Sequence, residues 1–340
     1  MDEAALLAQV YAAPDDDAPR LVYADWLQER GDLRGEFIAL QIERARGKAR
    51  SGARQREDEL VARYGVKWAK PLGIGKAYVG HMRVGATFAR GFPNTAVTQA
   101  ITFDPAWSTV RTCNVPPTDA RCQVRALRRV TAATTSDIIA LAALEAPLPI
   151  EELAWGFAFD PKRTWAESSA GEPLDRASAA WTAIRVLALR RLEVSASIIG
   201  AEPDPDRLAW LWRAPACRDL DELAVASRAT LLPRWMSAIA GTPIRRLELA
   251  CPAINVYSWQ IAMRVVLEAR ALTAIIYRST SSVFASLRDT VAALAPGTIA
   301  SVRVAVTTLV EWDRSASTRG VLQRVCNERS IPLTMEKAAR

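Results

Sequence analysis

Hydrophobic positions recur along this chain in the frame apolar-x-x-apolar-x-apolar. The clearest instance is Ile244-Arg245-Arg246-Leu247-Glu248-Leu249, and Leu189-Arg190-Arg191-Leu192-Glu193-Val194 nearly copies it. Leu220-Asp221-Glu222-Leu223-Ala224-Val225, Leu272-Thr273-Ala274-Ile275-Ile276-Tyr277 and Ile299-Ala300-Ser301-Val302-Arg303-Val304 repeat the frame. Leu127-Arg128-Arg129-Val130-Thr131-Ala132 and Ile150-Glu151-Glu152-Leu153-Ala154-Trp155 fit it more loosely. Alternation over so short a stretch predicts a half-buried strand at each frame. Helices are expected between the frames, at Ala179 to Leu189 (Trp181, Ile184, Val186, Leu187), at Trp259 to Ala269 (Ile261, Met263, Val265, Val266, Leu267) and at Phe284 to Leu294. The last of these places Phe284, Leu287, Val291 and Leu294 near one helix face.

The frames start at residues 127, 150, 189, 220, 244, 272 and 299, which gives spacings of 23, 39, 31, 24, 28 and 27. This pattern resembles the leucine-rich-repeat family, whose units run about 20–29 residues and combine a short strand with a helix or turn. The resemblance implies an α/β fold, a leucine-rich-repeat-like solenoid with a parallel sheet on one face and helices on the other. One strand and one helix cannot bury their apolar faces alone, whereas stacked units share a continuous core. The spacings of 39 and 31 imply insertions, one of them at Glu167 to Asp175. The asparagine that usually follows the strand is missing, and Ala196, Ser227 and Cys251 stand two residues beyond the last apolar position of their frames. The turns must then be held by other bonds. A generic α/β domain whose strands share a frame is the alternative.

The N-terminal part has helical rather than strand spacing. Helices are expected at Asp2 to Ala12, at Pro19 to Arg30, from Arg34 onward and at Glu57 to Ala69. Between the first two lies Pro14-Asp15-Asp16-Asp17-Ala18-Pro19. Adjacent carboxylates suit a hard cation, but they lack the alternation of a ligand loop, and an aspartate before Ala18-Pro19 reads as a helix cap. Pro14 through Leu27, with Glu29-Arg30-Gly31-Asp32 and Arg34-Gly35-Glu36-Phe37-Ile38, resembles the bacterial repeat-companion domain, a small helical module that precedes arrays of the leucine-rich type. The resemblance covers about the first 45 residues and implies architecture, not chemistry. Arg90-Gly91-Phe92, ahead of a strand expected at Thr95 to Thr98, extends it, because similar segments introduce such arrays. Trp26 is expected to pack the helical core, with Asp25 capping or pairing with an arginine. Ala86 to Ala89 is too short to assign, and Val79 to Val84 reads as a strand. After Ala316 a helix is expected through Asn327, then a capping segment at Ile331 to Met335. The expected organisation is a helical module at 1–70, a transition and capping repeat at 71–126, the array at 127–316 and a cap and tail at 317–340.

Composition narrows the function. Half of the 340 residues are apolar, enough for a core. Without an apolar run of eighteen residues, and with an acidic start, neither a membrane span nor a secretory signal is expected. The five scattered cysteines form no C-x-x-C pair, which fits reduced thiols and a cytoplasmic location. The net charge of +7 comes mostly from arginine. The basic stretch Arg44 to Arg56 has no aromatic residue on which a base would stack. Leu72-Gly73-Ile74-Gly75-Lys76 lacks P-loop spacing. His81 is the only histidine, so a Ser-His-Asp or Cys-His arrangement would have to use it and a His-Glu-x-x-His zinc helix cannot exist. No catalytic residue, cofactor or metal ligand is therefore expected, and the protein reads as a non-enzyme.

What the frame does predict is a surface, since its x positions point away from the core. They carry Arg190, Arg191, Glu193, Asp221, Glu222, Arg245, Arg246, Glu248 and Arg303, joined by Arg278 if the alternation runs one step further. Either these charges dock a partner protein, making this a scaffold or adaptor, or they pair with one another across strands. The alternative function is a nucleic-acid-binding module that uses its arginine-rich surface.

Overall fold

A computed structural model describes residues 2–74, 78–79, 82–83, 85–157, 174–196, 203–252, 261–277, 281–307 and 316–337. The chain is α/β, with helices first and a mostly parallel sheet after them. It divides into two compact units, Met1–Leu153 with Ile184–Leu187, and Ala154–Ala183 with Ala188–Arg340.

The first unit opens with α1 (Glu3–Ala12), α2 (Ala18–Gln28), α3 (Leu33–Ala45) and α4 (Ala53–Ala69). Aspartates start the first three. Asp2, Asp16 and Asp32 accept from the backbone N–H groups of Ala5, Ala18 and Arg34 at 2.8, 2.9 and 2.8 Å. Gly35 lets α3 lie directly on α2, because a Cβ there would fall 2.4 Å from the Ala24 carbonyl oxygen. Leu6, Val10, Tyr23, Ala24, Leu27, Ile38 and Ile42 form the core of this module. Trp26 is half-buried, stacked on Tyr23 with ring centroids 6.2 Å apart and covered by the Arg30 guanidinium at 3.8 Å. Asp25 departs from expectation: it is exposed, and its carboxylate has no ion pair among the described residues.

Two short strands, β1 (Tyr78–Val79) and β2 (Met82–Arg83), form an antiparallel hairpin; His81 lies outside the described residues. The four residues from Ala86 that the sequence left unassigned belong to β3 (Gly85–Ala89), antiparallel to β4 (Phe92–Val97). Arg90 and Gly91 form the two-residue turn between them, with φ of +53° and +80°. Such a turn matches the right-handed twist of the flanking strands. It delivers Phe92 into the core of the helical module, 1% exposed, with the guanidinium groups of Arg20 and Arg34 at 5.2 and 5.0 Å from its ring. The Gly91 N–H donates to Gln41 Oε1 at 2.9 Å, Gln41 Nε2 donates to Glu57 Oε2 at 3.2 Å, and Arg44 grips Glu57 through Nε and Nη2, each at 2.9 Å. Phe88 enters a neighbouring cluster with Phe37, Leu60 and Trp68. Then come β5 (Thr112–Cys113), β6 (Arg129–Ala133) and α5 (Thr135–Ala142), with β4, β5 and β6 parallel.

The chain passes between units within β7 (Glu152–Phe157). The second unit continues with α6 (Leu174–Ala183), β8 (Arg191–Ala196), β9 (Glu222–Val225), α7 (Leu232–Ala238), β10 (Arg246–Pro252), β11 (Ile261–Glu268), β12 (Ala271–Ile276), α8 (Ser281–Ala293), β13 (Ser301–Val306), α9 (Ala316–Glu328) and β14 (Leu333–Lys337). Strands β8, β9 and β10 are parallel, as are β12, β13 and β14, while β11 runs antiparallel to both of its neighbours. From β3 onward the strands within each unit lie side by side in chain order, while β1 and β2 form a separate two-stranded sheet. All seven frames are strands: β6, β7, β8, β9, β10, β12 and β13.

Two helix expectations fail. Trp259 to Ala269 contains β11, whose Met263 and Val265 face the core at 1% and 0% exposure. The turn from β11 to β12 is Ala269-Arg270, with φ of +45° and +67°, a left-handed pair that non-glycine residues rarely adopt. Ala179 to Leu189 is helical only through Ala183. Beyond it burial alternates (Ile184 and Val186 in, Arg185 out), which suits extended chain rather than a helix. The helix expected at Phe284 to Leu294 is α8, and the one after Ala316 is α9. Among the described residues no helix is long and apolar enough to cross a membrane.

The strand starts share a backbone device. The Arg111 carbonyl accepts from the N–H groups of both Arg128 and Arg129, and the Arg128 carbonyl from those of Glu151 and Glu152. In the second unit the Arg190 carbonyl takes Asp221 and Glu222, and the Asp221 carbonyl takes Arg245 and Arg246, all at 2.8–3.1 Å. Arg111 thereby reveals a further unit, Val110-Arg111-Thr112-Cys113, which the sequence frame missed because its strand is only two residues long. Ser227, two residues beyond the last apolar position of its frame, accepts from the Trp235 indole at 3.1 Å and fixes α7 to the end of β9.

Candidate docking face

The predicted surface residues on β8, β9 and β10 stand in register. Arg191 lies opposite Glu222, Glu222 opposite Arg246, and Arg246 opposite Glu268 on β11. Four neighbouring strands thus present one row of alternating sign. Arg191 Nη1 is 2.6 Å from Glu222 Oε2, Arg246 Nε is 3.7 Å from the same oxygen, and Arg246 Nη1 is 2.8 Å from Glu268 Oε2. Each such pair stabilises the sheet by about 0.2–1 kcal/mol.

Glu248, two residues along β10, is 5% exposed although it belongs to the outward face. Three guanidinium groups enclose it: Arg264 Nη1 at 2.9 Å from Oε1, and Arg191 Nη2 and Arg246 Nη2 each at 3.8 Å from Oε2. Carboxyl oxygens so deeply buried require hydrogen-bonding and charged partners of this kind. Burial alone would make Arg191 a stronger acid; its hydrogen bond to Glu222 and the charges of Glu248, Glu222 and Glu193 outweigh this and raise its pKa.

The remaining predicted residues are freer. Arg245 is 86% exposed with its Nε 3.6 Å from Asp221 Oδ1, and Arg190 is exposed just before β8. Glu193 stands beside Ala224, and Arg303 on β13 is exposed between Thr273 and Thr334. Arg278 lies outside the described residues. The face therefore unites Arg191, Glu222, Arg246 and Glu248 into one network and leaves Arg190, Arg245 and Arg303 around it. Arg264 and Glu268 complete the network but were invisible as sheet residues, because their segment carries apolar side chains in both phases. In the first unit Arg129 Nε and Glu152 Oε2 form a similar pair at 3.5 Å.

Other candidate residues have structural partners. Asp17 pairs with Arg46 and Arg90, and Asp15 with Arg111, so the aspartate run holds arginines. In the basic stretch, Arg44, Arg46, Arg50 and Arg56 pair with Glu57, Asp17, Glu43 and Glu36. Cys113 and Cys217 are buried, and burial pushes their thiols up to about 11 and about 12. Comparison with known proteins finds no match to a family model, a curated protein or a solved structure.

Proposed function

We propose that the protein is a non-catalytic interaction scaffold: a small helical companion module followed by a degenerate leucine-rich-repeat array, docking a partner protein on its outward sheet face. The observation that carries this reading is the in-register row Arg191–Glu222–Arg246–Glu268 around the buried Glu248. Its arginine forks are held by carboxylates, so the face is preorganised and electrically balanced. Such a surface suits the mixed charges of a protein, with the freer Arg190, Arg245 and Arg303 available to a partner's carboxylates. Phosphate backbones require uncompensated cations, and here the cations are largely compensated, which favours protein over nucleic acid.

The test is a pull-down from native cytoplasmic extract at low and high salt, comparing wild type with Arg190→Glu/Arg245→Glu. A protein retained by wild type and lost on charge reversal supports the proposal. Recovery of nucleic acid at low salt alone would replace it with the nucleic-acid reading. A partner held equally by both proteins would move the docking site off this face.

A further inference from the structure

A recess of about 530 Å³ opens beside α1 in the first unit. That volume falls within the range of small-molecule sites, about 300–1,000 Å³. Leu6 and Val10 turn one face of α1 into the core of the helical module, and another face, with Ala4, Leu7 and Ala8, lines the recess. Pro71 and Pro105 extend the apolar lining with backbone whose φ angles the pyrrolidine rings hold fixed. Tyr11, Asp104, Gln123 and Arg125 share the wall, and each keeps hydrogen-bonding capacity unused. Asp104 Oδ1 accepts from the Ala106 N–H at 2.8 Å, while its Oδ2 has no partner among the described residues. Arg125 Nη1 donates at 3.3 Å to the carbonyl of Ala12, the last residue of α1, and no carboxylate among the described residues pairs with it. In this it differs from Arg44, Arg46, Arg90 and Arg111, whose carboxylates are in place. Tyr11 packs edge-on against Phe92, ring centroids 6.3 Å apart, and its hydroxyl makes no hydrogen bond among the described residues. Burial raises the Tyr11 pKa against the opposing charge of Arg34, so the hydroxyl stays neutral.

We propose that this recess binds a small zwitterion with an apolar body, an apolar amino acid or a short apolar peptide, whose ammonium meets Asp104 and whose carboxylate meets Arg125. Asp104 and Arg125 form no ion pair with each other, so each stays open to a ligand group of opposite sign. Charge complementarity selects a ligand chiefly by penalising the wrong sign. A simple anion would face Asp104 and a simple cation would face Arg125, whereas a zwitterion satisfies both. The guanidinium fork suits a terminal carboxylate. Tyr11 and Gln123 can each donate and accept, as the peptide group between two termini requires. The aliphatic side chain has Leu7, Ala8 and Pro105 to lie against. None of these residues belongs to the proposed docking face, so the recess stands or falls separately from that reading.

Ligand-observed NMR titration of the full chain with leucine, leucyl-leucine and trileucine tests the site. Each added residue moves the two termini about 3.3–3.6 Å further apart, so saturable binding is expected with one length preferred. Acetylating the ammonium or amidating the carboxylate of that ligand should each weaken binding about tenfold, through the loss of a charge-assisted contact. Asp104→Asn, which keeps a capping oxygen for Ala106, should no longer discriminate against the acetylated form but still reject the amide. Arg125→Gln should show the opposite pattern, a crossed result that purely structural roles would not give. Ala8→Leu should weaken binding of every form by filling the recess. If circular dichroism shows either charge variant unfolded, the blocked ligands on wild type and Ala8→Leu carry the comparison. Preference for leucine would identify a free amino acid as the source, and preference for a longer form a short peptide. No saturable binding of any of the three zwitterions, equal binding of the blocked forms, or binding unchanged in both charge variants overturns the proposal.

Discussion

Gly91 lies so close to Ile38 that a Cβ on residue 91 would fall 2.2 Å from Ile38 Cγ1. Its φ is +80°, so an alanine there meets both a steric wall and a disfavoured backbone. Gly91→Ala is expected to lose about 3 kcal/mol or more in urea unfolding. Gly241 has nearly the same φ, +78°, but a Cβ on it would meet nothing within 4 Å. Gly241→Ala should therefore lose only about 1 kcal/mol. Equal losses would mean that the Arg90-Gly91 turn does not dock tightly on α3.

Removing Glu248 leaves three guanidinium groups facing a buried gap. Glu248→Ala is expected to destabilise the protein by about 1–3 kcal/mol, since the guanidinium groups it leaves stay partly in water and two keep other carboxylate partners. The more exposed Arg191–Glu222 pair should show a coupling of only about 0.5–1 kcal/mol in a double-mutant cycle. A small effect of Glu248→Ala would show that water reaches that carboxylate.

The turn between β11 and β12 places Ala269 at φ +45°. Glycine adopts that conformation without the Cβ conflict, so Ala269→Gly is expected to raise stability by about 1 kcal/mol, read as a higher thermal midpoint. A lower midpoint would argue against the two-residue turn.

The buried thiols predict an alkaline limit. The folded-state values of Cys113 and Cys217, about 11 and about 12, lie above the ordinary value of 9.0. As pH rises past about 9 the unfolded chain loses these protons first. Their contribution is thus present below pH 9 and is lost as pH climbs toward those values. Thermal midpoints from pH 8 to 10.5 should fall, less steeply for Cys217→Ala. With iodoacetamide at pH 8, the half-buried Cys122 should be alkylated well before Cys113 or Cys217.

Much of the architecture was legible because the frames bury alternate residues, as a strand with one wet face must. Ile261 to Glu268 was not, since Val265, Val266 and Leu267 are consecutive apolar residues and Ala269-Arg270 carries none of the usual hairpin signals. The outward-facing charged residues could be named from their frame positions, but the network could not, because Glu248 depends on Arg264 from a segment with a helix-like apolar pattern. The role of Asp15 to Asp17 was hidden for a different reason: the bond from Arg111 to Asp15 spans 96 positions. Local patterns carry information about which face is buried, and only the fold brings distant charges together.

The forked bonds at the strand starts set few demands on side chains. The carbonyls of Arg111, Arg128, Arg190 and Asp221 perform the same task although their side chains differ in sign and length. A joint made of main chain alone tolerates any residue that can reach the geometry, and it is indifferent to how much chain lies between one joint and the next. Strands joined this way can drift in sequence, and the segments between them can grow in length, without losing step, so those segments are places where new surface can be added while the sheet stays in register.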